Sequence, residues 1–401
     1  MGKDWATDSS ELTTRVVSYV SVGLDTLPEL DEDGNDDWDN VPTLHSTTVN
    51  HTPLLEPDNH WLPDSYAEAM TWPDLWQGPI EKELEVMHEQ EVWKVIDPPP
   101  DACLVKTWWT FANKYDGEGR LNSQKVRLIT KGFTQIPGVD FYESYASVVR
   151  YESLRMNLAI AAVKDMEAWQ IDYVAAYLNA KPQAMVYIKL PDGAKVEGKV
   201  GLLQKSLYGM MDGVANWWET LDKNMRALGY KFLRVDPSVH SHHIDGETTI
   251  TSTYTDNTMG ISMMKEGAER VKAELGRKYK TKDLGEASLM LGIKIERDRE
   301  AGTISILQCA YLKWVLNCFG MSECNPATTP ISLGTVLTKE QSPSTDEDQQ
   351  FMAGKPYCQV LGSIMYAQIA TCPDLSYAVS TLSKFASDPG KPHWTALMWV
   401  L

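Results

Sequence analysis

From Trp61 onward the chain switches repeatedly between helical and strand-like hydrophobic periodicity. Trp76, Ile80, Leu84 and Met87 recur at helical spacing and predict an amphipathic helix over Pro73–Glu89. A short strand is expected at 92–96, ended by Pro98-Pro99-Pro100, and two β-rich runs at 105–115 and 123–134 flank the turn Asp116-Gly117-Glu118-Gly119 as a long hairpin. A helix follows over 153–166, then an apolar strand from Ala168 that ends near Asp172 and leads to Tyr177. Residues 185–190 and 200–204 read as an antiparallel pair. Beyond Leu207-Tyr208-Gly209, one side of a strong helix carries Val214, Trp217, Trp218, Leu221, Met225 and Leu228, with Gly229 as its C-terminal cap.

The pattern then becomes strand-rich. Runs 239–243 and 248–254 flank Asp245-Gly246, a strong hairpin turn signal. The stretch 248–264 holds two β-branched runs that meet at Tyr254-Thr255-Asp256-Asn257, a second hairpin with one acidic side chain at its tip. A charged helix is expected over 265–280, strands over 288–298 and 303–308 joined at Glu300-Ala301-Gly302, and a short helix over 311–319. Residues 331–356 are polar and read as a linker. Helices are expected over 360–370 and 375–386, and the chain stops within a helical pattern at HWTALMWVL, which suggests truncation relative to a larger design.

Composition narrows the class. The 401 residues are 43% hydrophobic and 23% charged, as in soluble globular proteins. No apolar run approaches the ~18–20 residues that cross a bilayer, and the N-terminus lacks the pattern of a secretory signal. Six scattered cysteines without a CxxC pair suggest reduced thiols and an intracellular setting, cytoplasm or nucleus. The alternating His240, His242 and His243 lack a Cys or carboxylate at ligand spacing, so no metal site is expected there. The net charge of −18 argues at first against a nucleic-acid partner. Residues 1–60 account for −11 of it, however, and read as an acidic, disordered leader or an interaction tail. Local basic patches therefore matter more than the total.

One such patch lies on the second arm of the long hairpin. Lys125 and Arg127 share a strand face, with Lys131 beyond. Two cations on one face suit a polyphosphate, because an Arg fork holds two phosphate oxygens; a solvated edge-strand face is the other reading. Asp172 at a strand end and Asp256 at a hairpin tip complete a set. Phosphoryl transfer uses two divalent ions about 3.5–4 Å apart, held by carboxylates, and Mg²⁺ favours oxygen ligands. The order of these parts fits a template-copying nucleotidyl transferase.

Residues 61–401 resemble the reverse transcriptase region of copia-type long-terminal-repeat retrotransposon polyproteins. The resemblance runs through WKVIDPP (93–99), KVRLITKGFTQIPGVDFYESYASVVR (125–150), QIDYVAAYLNA (170–180) and LQKSLYGM (203–210). After the YTDN tip it continues through KDLGEASLMLGIKI (282–295), TISILQCAYL (303–312), GSIMYA (362–367), TCPDLSYAVSTLSKF (371–385) and PHW (392–394). It implies an α+β fold of the right-hand polymerase type, with fingers, a palm built on an antiparallel sheet and a partial thumb over 61–330. A linker at 331–356 and a helical segment at 357–401, leading toward a ribonuclease H domain, would follow.

The resemblance also implies roles. Asp172 and Asp256 are the metal-binding carboxylates, with the Tyr173 carbonyl as a further ligand of two Mg²⁺ or Mn²⁺ ions. Tyr177 is an aromatic gate against a ribose 2′-hydroxyl, and Lys125 and Arg127 grip the incoming deoxynucleoside triphosphate. Tyr208, Gly209 and Asp212 lie beside an RNA or DNA template-primer, and no membrane is involved.

This sequence departs from the family pattern in three places. Asn257 stands where a second Asp is usual at the tip. Tyr208-Gly209-Met210-Met211-Asp212-Gly213 replaces Tyr-Gly-Leu-Lys-Gln-Ala, and Thr371-Cys372-Pro373-Asp374 replaces Thr-Arg-Pro-Asp. Each change weakens anion or metal binding, so the expectation is an RNA-directed DNA polymerase of impaired activity. A catalytically dead remnant that keeps the fold and binds nucleic acid weakly is the alternative, and a structural protein that reuses the fold is a third reading.

Overall fold

The computed structural model describes residues 61–401 except 101, 116–120 and 245. The acidic stretch 1–60, the expected turn at 116–119 and Asp245 lie outside the described residues.

The first layer forms around a helix that the apolar spacing specifies. After the single turn α1 (Tyr66–Ala69), helix α2 (Pro73–Glu89) starts on a proline, whose fixed φ suits the first helical turn, and buries Trp76, Ile80 and Met87. It covers a four-stranded sheet ordered β1-β7-β6-β2: β1 (Trp93–Ile96), β2 (Leu104–Val105), β6 (Tyr187–Ile188) and β7 (Val200–Leu203). It also covers the antiparallel ribbon of β3 (Thr107–Tyr115) and β4 (Leu121–Thr130). Val126 and Leu128 enter this core, so alternation leaves Lys125 and Arg127 together on the other face of β4.

The second layer is a six-stranded antiparallel sheet ordered β12-β5-β11-β10-β9-β8. Its strands are β5 (Glu167–Tyr173), β8 (Lys231–Leu233), β9 (Asp236–Ile244), β10 (Glu247–Tyr254), β11 (Asn257–Ser262) and β12 (Thr281–Glu286). Strand β5 is buried on both faces because helices cover both. Ala168 packs with Leu154, Leu158 and Ala161 of α3 (Tyr151–Lys164). Trp169, Ile171 and Tyr173 pack on the other side against α4 (Gly213–Ala227) and α5 (Lys265–Gly276). Gly260 of β11 lets the sheet accept Trp169, since a Cβ there would lie 2.1 Å from the indole.

Beyond this sheet come β13 (Leu289–Met290), β14 (Ile293–Asp298) and β15 (Thr303–Leu307), paired in order, then α6 (Cys309–Cys318) and α7 (Asp346–Ala353). Helices α8 (Tyr357–Ala370), α9 (Ser376–Ser383) and α10 (Lys391–Val400) share a core of Val360, Leu361, Ile364, Val379, Leu382 and Leu397. Among the described residues no helix is long and apolar enough to cross a membrane. All six cysteines are free.

Three local expectations are corrected. The charged helix expected over 265–280 ends at Gly276, and the polar run TKDLGE becomes edge strand β12, where tertiary pairing outweighs weak strand propensity. The strand expected over 288–298 is broken by Leu291 and Gly292, which take positive φ values of 52° and 72° in a two-residue turn between β13 and β14. The linker at 331–356 contains α7, whose N-cap Thr345 accepts a hydrogen bond from the Asp348 amide, with three acidic residues in the first turn.

Candidate active site

The site is organised by the register of β5 against β11. Asn257 stands directly opposite Asp172, Thr258 opposite Ile171 and Met259 opposite Gln170. Asp256 sits one residue earlier, in the two-residue turn Thr255-Asp256 that joins β10 to β11. The Tyr173 amide donates to the Asp256 carbonyl at 2.7 Å, so the end of β5 is pinned to the hairpin tip. From the other face the Trp217 indole donates to the Thr255 carbonyl at 2.6 Å. Thr255 has φ of 53°, an uncommon conformation for a β-branched residue, and these two bonds hold the turn in it. The acidic tip is thus a fixed feature, with Asp172, Asp256 and Asn257 gathered at one end of the sheet and all half-buried.

Tyr208 connects this end to the β3–β4 ribbon. Its ring centroid is 4.6 Å from that of Tyr177 in an edge-on contact, and the Arg127 guanidinium carbon lies 5.0 Å from its centre. Burial pushes the Tyr208 phenol up to about 12. Arg127 opposes that rise, while the negative charges of Asp256, Glu83 and Asp172 add to it. Arg127, Asp172 with Tyr177, and Asp256, expected from three separated stretches of sequence, therefore converge on one aromatic side chain.

Backbone bonds seal the loop that carries Tyr208 to the end of β4. The Tyr208 carbonyl accepts from the Thr130 amide at 2.8 Å and from its hydroxyl at 3.1 Å, and the Gly132 amide donates to the Gly209 carbonyl at 3.1 Å. Gly209 has φ of 84°, and a Cβ there would stand 2.2 Å from the Thr130 carbonyl oxygen, so only glycine closes this junction.

Lys125 and Arg127 both act on Glu83 of α2. Burial raises the Glu83 carboxyl above the usual carboxylate range; a hydrogen bond from the Leu128 amide (3.3 Å) and the charges of Arg127 and Lys125 pull it back. Glu83 escaped sequence reasoning, although the signal was present: it lies at helical spacing between Ile80 and Met87, a carboxylate within an apolar stripe. Lys131 lies apart from this pair, with its ammonium 4.4 Å from the centre of the Trp108 ring.

Asp212 was expected beside template and primer. The structure buries it completely, at the N-cap of α4, with one carboxylate oxygen accepting from Asn216 Nδ2 at 2.7 Å. A carboxylate is favoured at this end of a helix by the peptide dipoles, and burial denies it direct contact with a polymer. Asn257 Oδ1 accepts from Gln170 Nε2 at 2.7 Å. Gln170 was also missed, although it lies on the same strand face as Asp172, two residues away. Of the three alternating histidines, His240 bonds Asp222 at 2.9 Å, His242 packs on Tyr230 and His243 bonds Thr248.

The Asp172 and Asp256 carboxylates and the Tyr173 carbonyl offer hard oxygen atoms of the kind Mg²⁺ prefers. Among the described residues no group of three or more His, Cys, Asp or Glu is placed to hold a metal ion. The residues fit a site completed by water and by substrate oxygens, with an amide at 257 where a third carboxylate would close it.

Comparison with known proteins identifies the family. Residues 90–333 match the family described as reverse transcriptase (RNA-dependent DNA polymerase). The chain is 33% identical over 345 residues to the retrovirus-related Pol polyprotein from transposon TNT 1-94 of Nicotiana tabacum, covering 84% of this chain and 26% of that protein. It is 25% identical over 332 residues to the Pol polyprotein from transposon RE2 of Arabidopsis thaliana, covering 82% and 22%. The chain thus spans about a quarter of the length of these curated relatives. Among solved structures, a foamy viral protease–reverse transcriptase in complex with double-stranded DNA aligns over 81% of this chain and 47% of that one. At a TM-score of 0.39 and 13% identity, that likeness is too slight to carry weight.

Proposed function

The chain belongs to the reverse transcriptases of copia-type retrotransposons, and from that premise we propose that it is the RNA-directed DNA polymerase module of such an element, impaired by the amide at position 257. In this reading α2 with the β3–β4 ribbon forms the fingers, the six-stranded sheet with α3, α4 and α5 the palm, and the three-stranded sheet part of a thumb. The substrates are a primed RNA or DNA template and deoxynucleoside triphosphates.

The observation that carries the reading is the gathering of Arg127, Tyr177, Asp172 and Asp256 around Tyr208. Asp172 and Asp256, with the Tyr173 carbonyl, would hold two Mg²⁺ or Mn²⁺ ions, which when bound supply charge neutralisation at the triphosphate and at the primer 3′-hydroxyl. The chain's own side chains do the rest. Arg127, braced over Tyr208, presents a planar fork to phosphate oxygens, and Lys125 adds a second cation on the same strand face. Tyr177, packed edge-on against Tyr208, closes the space beside the sugar, where a 2′-hydroxyl would clash. Tyr208 itself stays a neutral phenol throughout the neutral pH range, so it adds no negative charge beside the phosphates. The Trp217 and Tyr173 bonds hold the tip ready, which limits reorganisation when the substrate arrives.

Primer extension on a primed RNA template tests the proposal. The unmodified chain should extend slowly with Mg²⁺ or Mn²⁺, and Asp172→Asn should abolish that extension. Robust extension that ignores Asp172→Asn would overturn the assignment of the site.

A further inference from the structure

Gln170 lies two residues before Asp172 on β5 and is 2% exposed. Its Nε2 donates to the Leu289 carbonyl of β13 at 2.9 Å and to Asn257 Oδ1 at 2.7 Å, with the Met290 sulfur a long third contact at 4.0 Å. The first bond fixes the sense of the second. A backbone carbonyl only accepts, so the group Gln170 places there is its NH₂, and the atom of Asn257 that meets the same NH₂ must be the amide oxygen. The Leu289 carbonyl is itself a firm reference, because the turn after β13 is tied to α8 through the bond from the Tyr366 hydroxyl to the Leu291 carbonyl at 2.5 Å. With Oδ1 engaged by Gln170, the end of the amide left for the Asp172 side is Nδ2, a donor.

We propose that Gln170 sets the polarity of position 257, turning the Asn257 amide nitrogen toward Asp172 so that this position serves the carboxylates as a hydrogen-bond donor and withholds its oxygen from a cation. The proposal rests on the polymerase reading of the site and adds a positioning residue to it. The constraint acts on an amide only. A carboxylate at 257 would give one oxygen to the Gln170 NH₂ and keep the other for the cleft, so the same glutamine that serves an acid there misdirects an amide.

Gln170→Glu reverses the relay. A glutamate offers only acceptors, so Asn257 must turn its Nδ2 to residue 170 and swing Oδ1 toward Asp172. The added charge attracts cations on its own, and a cycle removes that contribution. Mn²⁺ affinity, measured by electron paramagnetic resonance of the free ion, is compared for Gln170→Glu made in the unmodified chain and in Asn257→Ala. The change should tighten Mn²⁺ at least fivefold more when Asn257 is present; equal tightening in both backgrounds overturns the proposal.

A second measurement needs neither cation nor extension. In protein labelled with ¹⁵N-asparagine, the side-chain NH₂ resonances lost in Asn257→Ala belong to Asn257. They should shift in Asp172→Ala, and resonances that stay in place would show that the nitrogen does not face Asp172. Mn²⁺ binding that ignores Asp172→Asn would count against the polymerase site alone, since the amide resonances still decide the orientation.

Discussion

Replacing Asn257 by Asp should convert a poorly charged site into a cation-dependent one, and the register sets the size of the effect. Asn257 is directly opposite Asp172, and facing residues in an antiparallel pair place their Cβ atoms about 4.5–5.5 Å apart. Two carboxylates about 5 Å apart repel by about 1–3 kcal/mol at effective dielectric constants of about 20–80. Without divalent cations the Asn257→Asp protein should therefore lose about 1–3 kcal/mol of stability, read as a lower urea midpoint in EDTA. With Mg²⁺ the sign reverses, because the same carboxylate now faces dications. The gain in cation affinity should be about tenfold to a hundredfold, equivalent to about 1.4–2.8 kcal/mol.

Two assays read the two signs. Urea titrations with EDTA and with Mg²⁺ should show that the variant's deficit disappears as the ion binds, since ligation of the folded state alone adds stability. Primer extension should rise with Mg²⁺ in Asn257→Asp and remain slow in the unmodified chain. A variant as stable as the parent in EDTA, with unchanged Mg²⁺ affinity, would show that position 257 does not face Asp172 and would refute the electrostatic reasoning.

Two further changes probe the frame around the site. Burial raises the Glu83 carboxyl in the folded protein, so the folded state holds its proton more tightly than the unfolded chain, and its contribution to stability is present below the ordinary carboxylate range and lost as pH rises through the raised value. Glu83→Gln, which keeps an acceptor for the Leu128 amide, should therefore change stability little near pH 4 and raise it near pH 7, seen as a urea midpoint that no longer falls over that interval; an unaltered pH profile would contradict it. Gly209→Ala forces a side chain into positive φ and against the Thr130 carbonyl, so it should cost about 3 kcal/mol or more and detach Tyr208 from β4. Calorimetry measures the loss, and a midpoint within a degree of the parent would show that the junction yields.

Where packing repeats a simple period, the sequence was readable. Helix α2 occupies the predicted Pro73–Glu89, because its apolar stripe and N-terminal proline agree. Asp172 at a strand end and Asp256 in a hairpin turn were also legible, from a β-branched run and a polar tip. What the period could not supply was register. The residue opposite Asp172 is Asn257, not Asp256, and that depends on which of two adjacent residues closes the β10–β11 turn. Strand β12 was invisible because TKDLGE carries no alternation and forms only by pairing with β5. Glu83 and Gln170 were hidden for another reason: a polar residue on a buried face has meaning only through its partner, and both partners are far away in sequence, at Leu128 and Leu289.

The two departures at the site, Asp212 and Asn257, now separate physically. Asp212 reads in the sequence as a charge set against nucleic acid, yet it is buried at the N-cap position of α4 without a side-chain bond to the helix backbone, with the Asn216 side chain on one oxygen while the other lacks a partner. Any penalty it brings is a buried, half-satisfied carboxylate, which bears on the stability of α4 and, through Trp217 on the same helix, on the carbonyl of Thr255. Asn257 is the opposite case. Its oxygen is satisfied by Gln170. On the proposed reading its cost would fall on cation binding, since an amide whose oxygen is already engaged stands where the family usually has an anion. On the proposed reading, a charge absent from a well-bonded position would leave folding intact and weaken chemistry, and the Asn257→Asp comparison of stability with extension separates the two.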